Sequence, residues 1–155
     1  MHTLEKTTDY TLLLKQAQAL VDDEVDFIAN CANLSAFVMA MIDDLNWVGF
    51  YFKKEDTLVL GPFQGRPACT RIAWGKGVCG TAALHNQTLN IPDVHLFEGH
   101  IACDFASNSE CVIPVHINKE VRAVFDVDSP VFDRFDKPLQ AFLEGIVSIL
   151  ETKNG

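Results

Sequence analysis

The sequence predicts an α+β fold in which a central antiparallel sheet is flanked by N- and C-terminal helices. Two observations lead there. Apolar residues recur at helical spacing before Leu45 and after Asp136, and strand-like runs joined by short polar turns lie between them. With 155 residues, 48% of them apolar and 21% charged, the chain can bury one core, and no stretch reads as a linker. A single domain over residues 1–155 is expected.

The first helical pattern begins at Asp9, where Leu13, Ala17 and Leu20 share a face ahead of the acidic break Asp22-Asp23-Glu24. A second stripe runs through Phe27, Cys31, Leu34, Val38, Met41 and Leu45, which makes Cys31 a packed core thiol. Trp47–Phe52 and Thr57–Leu60 then read as a hairpin across the polar turn Lys53–Asp56. The Gly/Pro-punctuated stretch Gly61–Pro67 reads as a loop, and Gly75–Thr81 leads into a short helix near Ala82–Leu84. Pro92–Asn108 is a long irregular segment carrying His95, His100, Cys103 and Asp104, of the kind that forms lids or binding loops. Glu110–Ile117 and Glu120–Asp128 form a second hairpin across Asn118-Lys119. The last helix starts with Asp136 as N-cap and Pro138 in its first turn, and runs to Leu150.

Charge and composition exclude several function classes. A formal net charge of −9 leaves no basic face for nucleic acid or an anionic membrane. The N-terminal residues lack the basic start and apolar run of a signal peptide, and no apolar run approaches membrane-spanning length. A cytoplasmic protein is the expectation. An odd count of five cysteines fits that reducing setting better than a disulfide framework. The cysteines and histidines lack the close pairs of a structural zinc site, so no metal or other cofactor is expected.

Three features could carry chemistry. The glycines around Cys79 match no nucleotide-binding pattern, but they put that thiol near a helix N-terminus, where the macrodipole favours a thiolate. Asp126 and Asp128 stand two apart on one strand and so share a face, while Glu110 opens the partner strand. The acids read either as a solvated strand end or as a pocket for a substrate ammonium or a proton source. The third is a candidate ligand set for zinc, Cys69, Cys79, Cys103 and Cys111 with His85, His95 and His100, which the spacing argues against. Pattern alone chooses no substrate.

Longer motifs do. Asn46-Trp47-Val48-Gly49-Phe50-Tyr51, Leu60-Gly61-Pro62-Phe63-Gln64-Gly65, the run from Gly75 to Gly80, His100-Ile101-Ala102-Cys103-Asp104 and Asp126-Val127-Asp128-Ser129-Pro130 strongly resemble the free methionine-(R)-sulfoxide reductases. The similarity extends from about Tyr10 to Leu150. It implies a GAF-type fold, a homodimer, and thiol-dependent reduction of the free amino acid methionine sulfoxide, with thioredoxin as reductant. It puts Cys103 at the catalytic position, Cys69 at that of the main resolving cysteine and Cys79 at that of the auxiliary one. Glu110, Asp126 and Asp128 match the acids that hold substrate, and Trp47 and Tyr51 the aromatic wall around its methyl group. Either Glu110 or Asp128 could protonate the sulfoxide oxygen. Cys31 and Cys111 stand where the family has aliphatic residues, and Ala123 where it has glycine. Cys111 follows a site acid, which leaves a side disulfide with Cys103 open to it. The alternative is a GAF domain that senses a small molecule without catalysis. Such domains sit beside a signalling output, for which this chain leaves no room.

Overall fold

The computed structural model describes residues 7–100 and 106–154. Helices α1 (Tyr10–Val21) and α2 (Phe27–Met41) lead into the hairpin β1 (Trp47–Lys54) and β2 (Thr57–Gly65). After β3 (Arg71–Ala73) come α3 (Gly77–His85), β4 (Leu89–Ile91) and a single 3₁₀ turn at Val94–Leu96. The hairpin β5 (Ser109–Ile117) and β6 (Glu120–Ser129) precedes α4 (Lys137–Asn154). The six strands form one sheet in the order β3-β2-β1-β6-β5-β4, with every pair antiparallel.

Aspartates start the helices. Asp9 accepts from Leu12 N at 3.1 Å, Asp26 from Ala29 N at 2.8 Å and Asp136 from Leu139 N at 3.0 Å, each meeting an amide with no partner inside its helix. The α1 stripe differs from the expectation at one position. Ala17 and Val21 are buried while Leu20 is 43% exposed, because steps of four from Leu13 follow the core-facing side and Leu20 sits a third of a turn away. In α2, Cys31, Leu34 and Val38 are buried as expected, but the helix ends at Met41, which faces solvent. Extended Ile42 takes the next core position.

The stretch read as a loop from Gly61 is strand. β2 continues through Gly61 and Pro62 to Gly65, with a bulge opposite Phe50 where the register against β1 shifts. Pro62 falls inside that bulge, where a missing N–H costs no ladder bond. The turn between β1 and β2 shrinks to Glu55-Asp56, and Glu55 adopts φ 58°. Asn118 and Lys119 both have positive φ (54° and 67°), as a tight two-residue hairpin turn requires. The three-residue strands β3 and β4 carried too little pattern to be foreseen, and α4 runs past Leu150 to Asn154.

The sheet separates two apolar clusters. On one face α1, α2 and α4 cover Val48, Phe50, Cys111, Ile113, Phe125 and Val127. On the other, α3 covers Trp47, Tyr51, Val112 and Val124. Strand side chains alternate between these faces, so each odd or even set has one destination. Among the described residues, no helix is long and apolar enough to cross a membrane.

Candidate active site

The face under α3 holds a pocket lined by Trp47, Tyr51, Cys79, Glu110, Asp126 and Asp128, with His100 and Ser107 at its side. Antiparallel register brings these residues together. Trp47 lies opposite Asp128 and Gly49 opposite Asp126 in the β1–β6 ladder, while Glu110 lies opposite Asp128 in the β5–β6 ladder. Trp47, Gly49 and Tyr51 share a face by alternation, as do Asp126 with Asp128 and Glu110 with Val112. The aromatic residues therefore line one edge of the carboxylate cluster. Gly49 is needed between them: a Cβ there would meet Phe63 Cβ at 2.3 Å and Trp47 Cη2 at 2.8 Å.

The aromatic wall also anchors a loop. Trp47 stacks between Tyr51 and Phe63, with ring centroids 5.9 and 5.2 Å away. Its indole Nε1 donates to Arg66 O at 3.1 Å, and the Tyr51 hydroxyl donates to Cys69 O at 2.8 Å. Burial and the surrounding acids, Asp126 first, raise the Tyr51 phenol, which keeps it a donor. Both ends of the segment leading to Cys69 are thus tied to β1. Across the pocket, Asn46 Nδ2 donates to Ser107 Oγ at 3.0 Å and ties the end of the long segment to the residue just before β1.

The carboxylates are buried rather than solvated at a strand end. Glu110 is 7% and Asp126 6% exposed, and among the described residues the pocket lining includes no lysine or arginine. Burial, then Asp126 and Asp128, push the Glu110 carboxyl well above its ordinary range, so Glu110 keeps a proton that it donates within the cluster. Burial raises Asp126 too, offset by the polar groups of Glu110, Cys79 and Asp128 beside it. One Asp126 oxygen, Oδ1, is buried with no hydrogen-bond partner. His100 is lowered by burial and by His95, against the pull of Asp126.

Cys79 departs from expectation. It sits in the first turn of α3 but is only 3% exposed, and burial followed by Asp126, Glu110 and Asp128 raises its thiol far above the usual value. Desolvation and three nearby acids outweigh the helix dipole, so Cys79 is a neutral thiol. Its Sγ and one oxygen each of Glu110 and Asp126 lie within 4.8 Å of one another, a set that a metal ion could share.

The remaining cysteines divide cleanly. Cys69 is disulfide-bonded, whereas Cys31, Cys79 and Cys111 are free thiols. Cys103 and Asp104 lie outside the described residues. Cys111 points into the cluster under α1, α2 and α4, on the sheet face opposite Glu110. Cys111 therefore faces away from the pocket, while Cys103, the partner its sequence position left open, lies outside the described residues. Burial pushes its thiol up to about 12. Cys31 is fully buried in the same cluster. His100 and Ser107 line the pocket without having been singled out as site residues, and only the distant pairing of Asn46 with Ser107 puts the latter there.

Comparison with known proteins agrees with this geometry. The GAF domain profile matches residues 16–152. The free methionine-R-sulfoxide reductase of Escherichia coli is 49% identical over 148 residues, covering 96% of this chain and 90% of the relative. The structure of fRMsr of Staphylococcus aureus in its reduced form superposes with a TM-score of 0.93 at 48% identity over the whole of both chains. The free methionine-R-sulfoxide reductase of Neisseria meningitidis, solved in complex with its substrate, gives a TM-score of 0.90 at 39% identity and covers 99% of this chain and 95% of that one. The chain belongs to the GAF-domain family and, within it, to the free methionine-(R)-sulfoxide reductases.

Proposed function

We propose that this protein reduces free L-methionine (R)-sulfoxide to L-methionine through a cysteine sulfenic acid and an intramolecular disulfide. The observation that carries the reading is the pocket itself, where an aromatic wall meets a buried acid cluster beside the anchored Cys69 loop. An ammonium needs carboxylates and a thioether methyl needs an apolar face. Trp47 and Tyr51 supply the second, and Asp126 and Asp128 the first. Glu110, which retains a proton, is the donor to the sulfoxide oxygen.

In the proposed reaction the Cys103 thiolate attacks the sulfoxide sulfur. The oxygen ends on Cys103 as a sulfenic acid and the sulfur leaves as the thioether of methionine. The one proton the sulfenic acid needs comes from the site acid, which is replenished by the proton the Cys103 thiol gave up. The Cys69 thiol then attacks the Cys103 sulfenic sulfur, forming a disulfide and releasing water. The disulfide at Cys69 and the free, protonated state of Cys79 support Cys69 as the main resolving residue, with Cys79 in reserve. Thioredoxin, by exchange with its dithiol, restores both thiols, and the working form is a homodimer in the cytoplasm.

The test is NADPH consumption coupled through thioredoxin and thioredoxin reductase, with the R and S epimers of free methionine sulfoxide. Wild type is run beside Cys103→Ser. Turnover with R alone, abolished by the substitution, is expected. No turnover with either epimer, with dithiothreitol also failing as reductant, would overturn the proposal in favour of a ligand-sensing domain.

A further inference from the structure

We propose that the same pocket is a binding site for a thiol-preferring divalent cation, Zn²⁺ or Cd²⁺, held by Cys79 Sγ and one carboxylate oxygen each from Glu110 and Asp126. The three ligand atoms already lie within 4.8 Å of one another, and all three residues are buried. Metal–sulfur and metal–oxygen bonds of about 2.3 and 2.1 Å set tetrahedral ligand separations near 3.5 Å, so closing around an ion takes side-chain movements of roughly 1 Å. The ligands stand on three separate elements, α3, β5 and β6, packed around one floor, which holds the set together without a metal.

An independent observation points to a missing cationic partner. Asp126 is 6% exposed, yet its Oδ1 has no hydrogen-bond partner, and an unmatched acceptor at that depth is costly. Among the described residues the pocket lining offers no lysine or arginine to meet it. A substrate ammonium can do so transiently, and a metal ion can do so with a thiolate as well. The sulfur ligand decides the class, because magnesium and calcium prefer all-oxygen sets whereas zinc and cadmium accept thiolate.

Binding is a proton exchange without redox change. The ion replaces the thiol proton of Cys79 and the carboxyl proton held by Glu110, and both protons leave to solvent. The three protein ligands leave a coordination position facing the pocket, so the ion is exchangeable and competes with any ligand that needs the acids. It acts as an inhibitor rather than a cofactor. The inference does not depend on the identity of the substrate, and its test reads binding rather than turnover, so the two proposals can fail separately.

The probe is Cd²⁺ added to the oxidised protein, in which Cys69 is already in a disulfide. That leaves Cys79 as the described free thiol facing the pocket, since Cys31 and Cys111 are packed into the opposite cluster. One ion per chain by calorimetry, with a cadmium–thiolate charge-transfer band in the ultraviolet, is expected, and Mg²⁺ should give neither. Cys79→Ser should abolish the band while leaving the circular dichroism unchanged. If that variant does not fold, Asp126→Asn serves instead, and its Cd²⁺ affinity should fall about tenfold or more, as loss of a ligand requires. No band in the oxidised wild type, a band retained in Cys79→Ser, or wild-type affinity in Asp126→Asn would each overturn the proposal.

Discussion

The Tyr51 hydroxyl lets the wall's two tasks be separated. Tyr51→Phe keeps the ring and its 5.9 Å stack on Trp47, and removes only the 2.8 Å bond to the Cys69 carbonyl. A neutral hydrogen bond contributes about 1 kcal/mol, and an acceptor stranded out of water costs about 1–3 kcal/mol. Cys69 is half-buried, so water reaches part of the released carbonyl and the lower end applies, about 1–1.4 kcal/mol. For a chain of this size that corresponds to a Tm lower by about 3–5 °C. If the bond holds Cys69 in position for its attack, its loss slows disulfide formation by about 5- to 10-fold. Methionine release, which in the proposed mechanism depends on the ring and the acids, should stay within about twofold, because none of those groups moves. Single-turnover mixing of reduced enzyme with the R epimer, quenched for methionine and for a trapped sulfenic acid, reads the two steps separately. The trapped species should accumulate in Tyr51→Phe. Equal slowing of both steps, or no change in either, would refute the assignment of the Tyr51 hydroxyl to the resolving loop.

Two other expectations follow from the site's burial and packing. Because burial and its acidic neighbours hold the Glu110 carboxyl well above the ordinary value of 4.5, the folded state binds more protons than the unfolded chain as pH rises past that value. The stability tied to that proton is complete below the unfolded pKa and is lost as pH rises through the folded one, at no more than about 1.4 kcal/mol per pH unit. Glu110→Gln should therefore flatten the urea-derived stability of the protein between about pH 5 and 8 relative to wild type, while weakening ligand binding. Parallel curves would show that burial is not what holds the proton. Gly80→Ala should lower stability by about 2 kcal/mol and Tm by about 4–8 °C, since its Cβ would stand 2.5 Å from Ala73 O and 3.0 Å from Gly75 N. A Tm within about 1 °C of wild type in a thermal melt would mean that the backbone there yields easily.

Local pattern carried much of this molecule. Steps of three and four residues through Cys31, Leu34 and Val38 gave the packed side of α2, and the two-residue turn at Asn118-Lys119 joined β5 and β6. The spacing of Asp126 and Asp128 was enough to put both on one face of one strand. Recognition of long motifs then supplied what periodicity could not, since no spacing names a substrate. Local pattern failed where a neighbour in space decides. Pro62 looked like loop until the bulge opposite Phe50 absorbed its missing donor. Cys79 looked like a thiolate at a helix start until Glu110, Asp126 and burial surrounded it.

The sequence by itself determined the helix stripes, the hairpins, the alternation that sorts each strand's side chains and which positions carry thiols and carboxyls. These depend on the periods of helix and strand and on side-chain type, which are local properties. Only the tertiary structure decided that Glu110 faces Asp128 across a ladder, that Cys111 turns away from the pocket, and that Cys79 joins two acids within 4.8 Å. Register and desolvation are set by residues distant in the chain, and a carboxyl or thiol carries the charge that those surroundings permit.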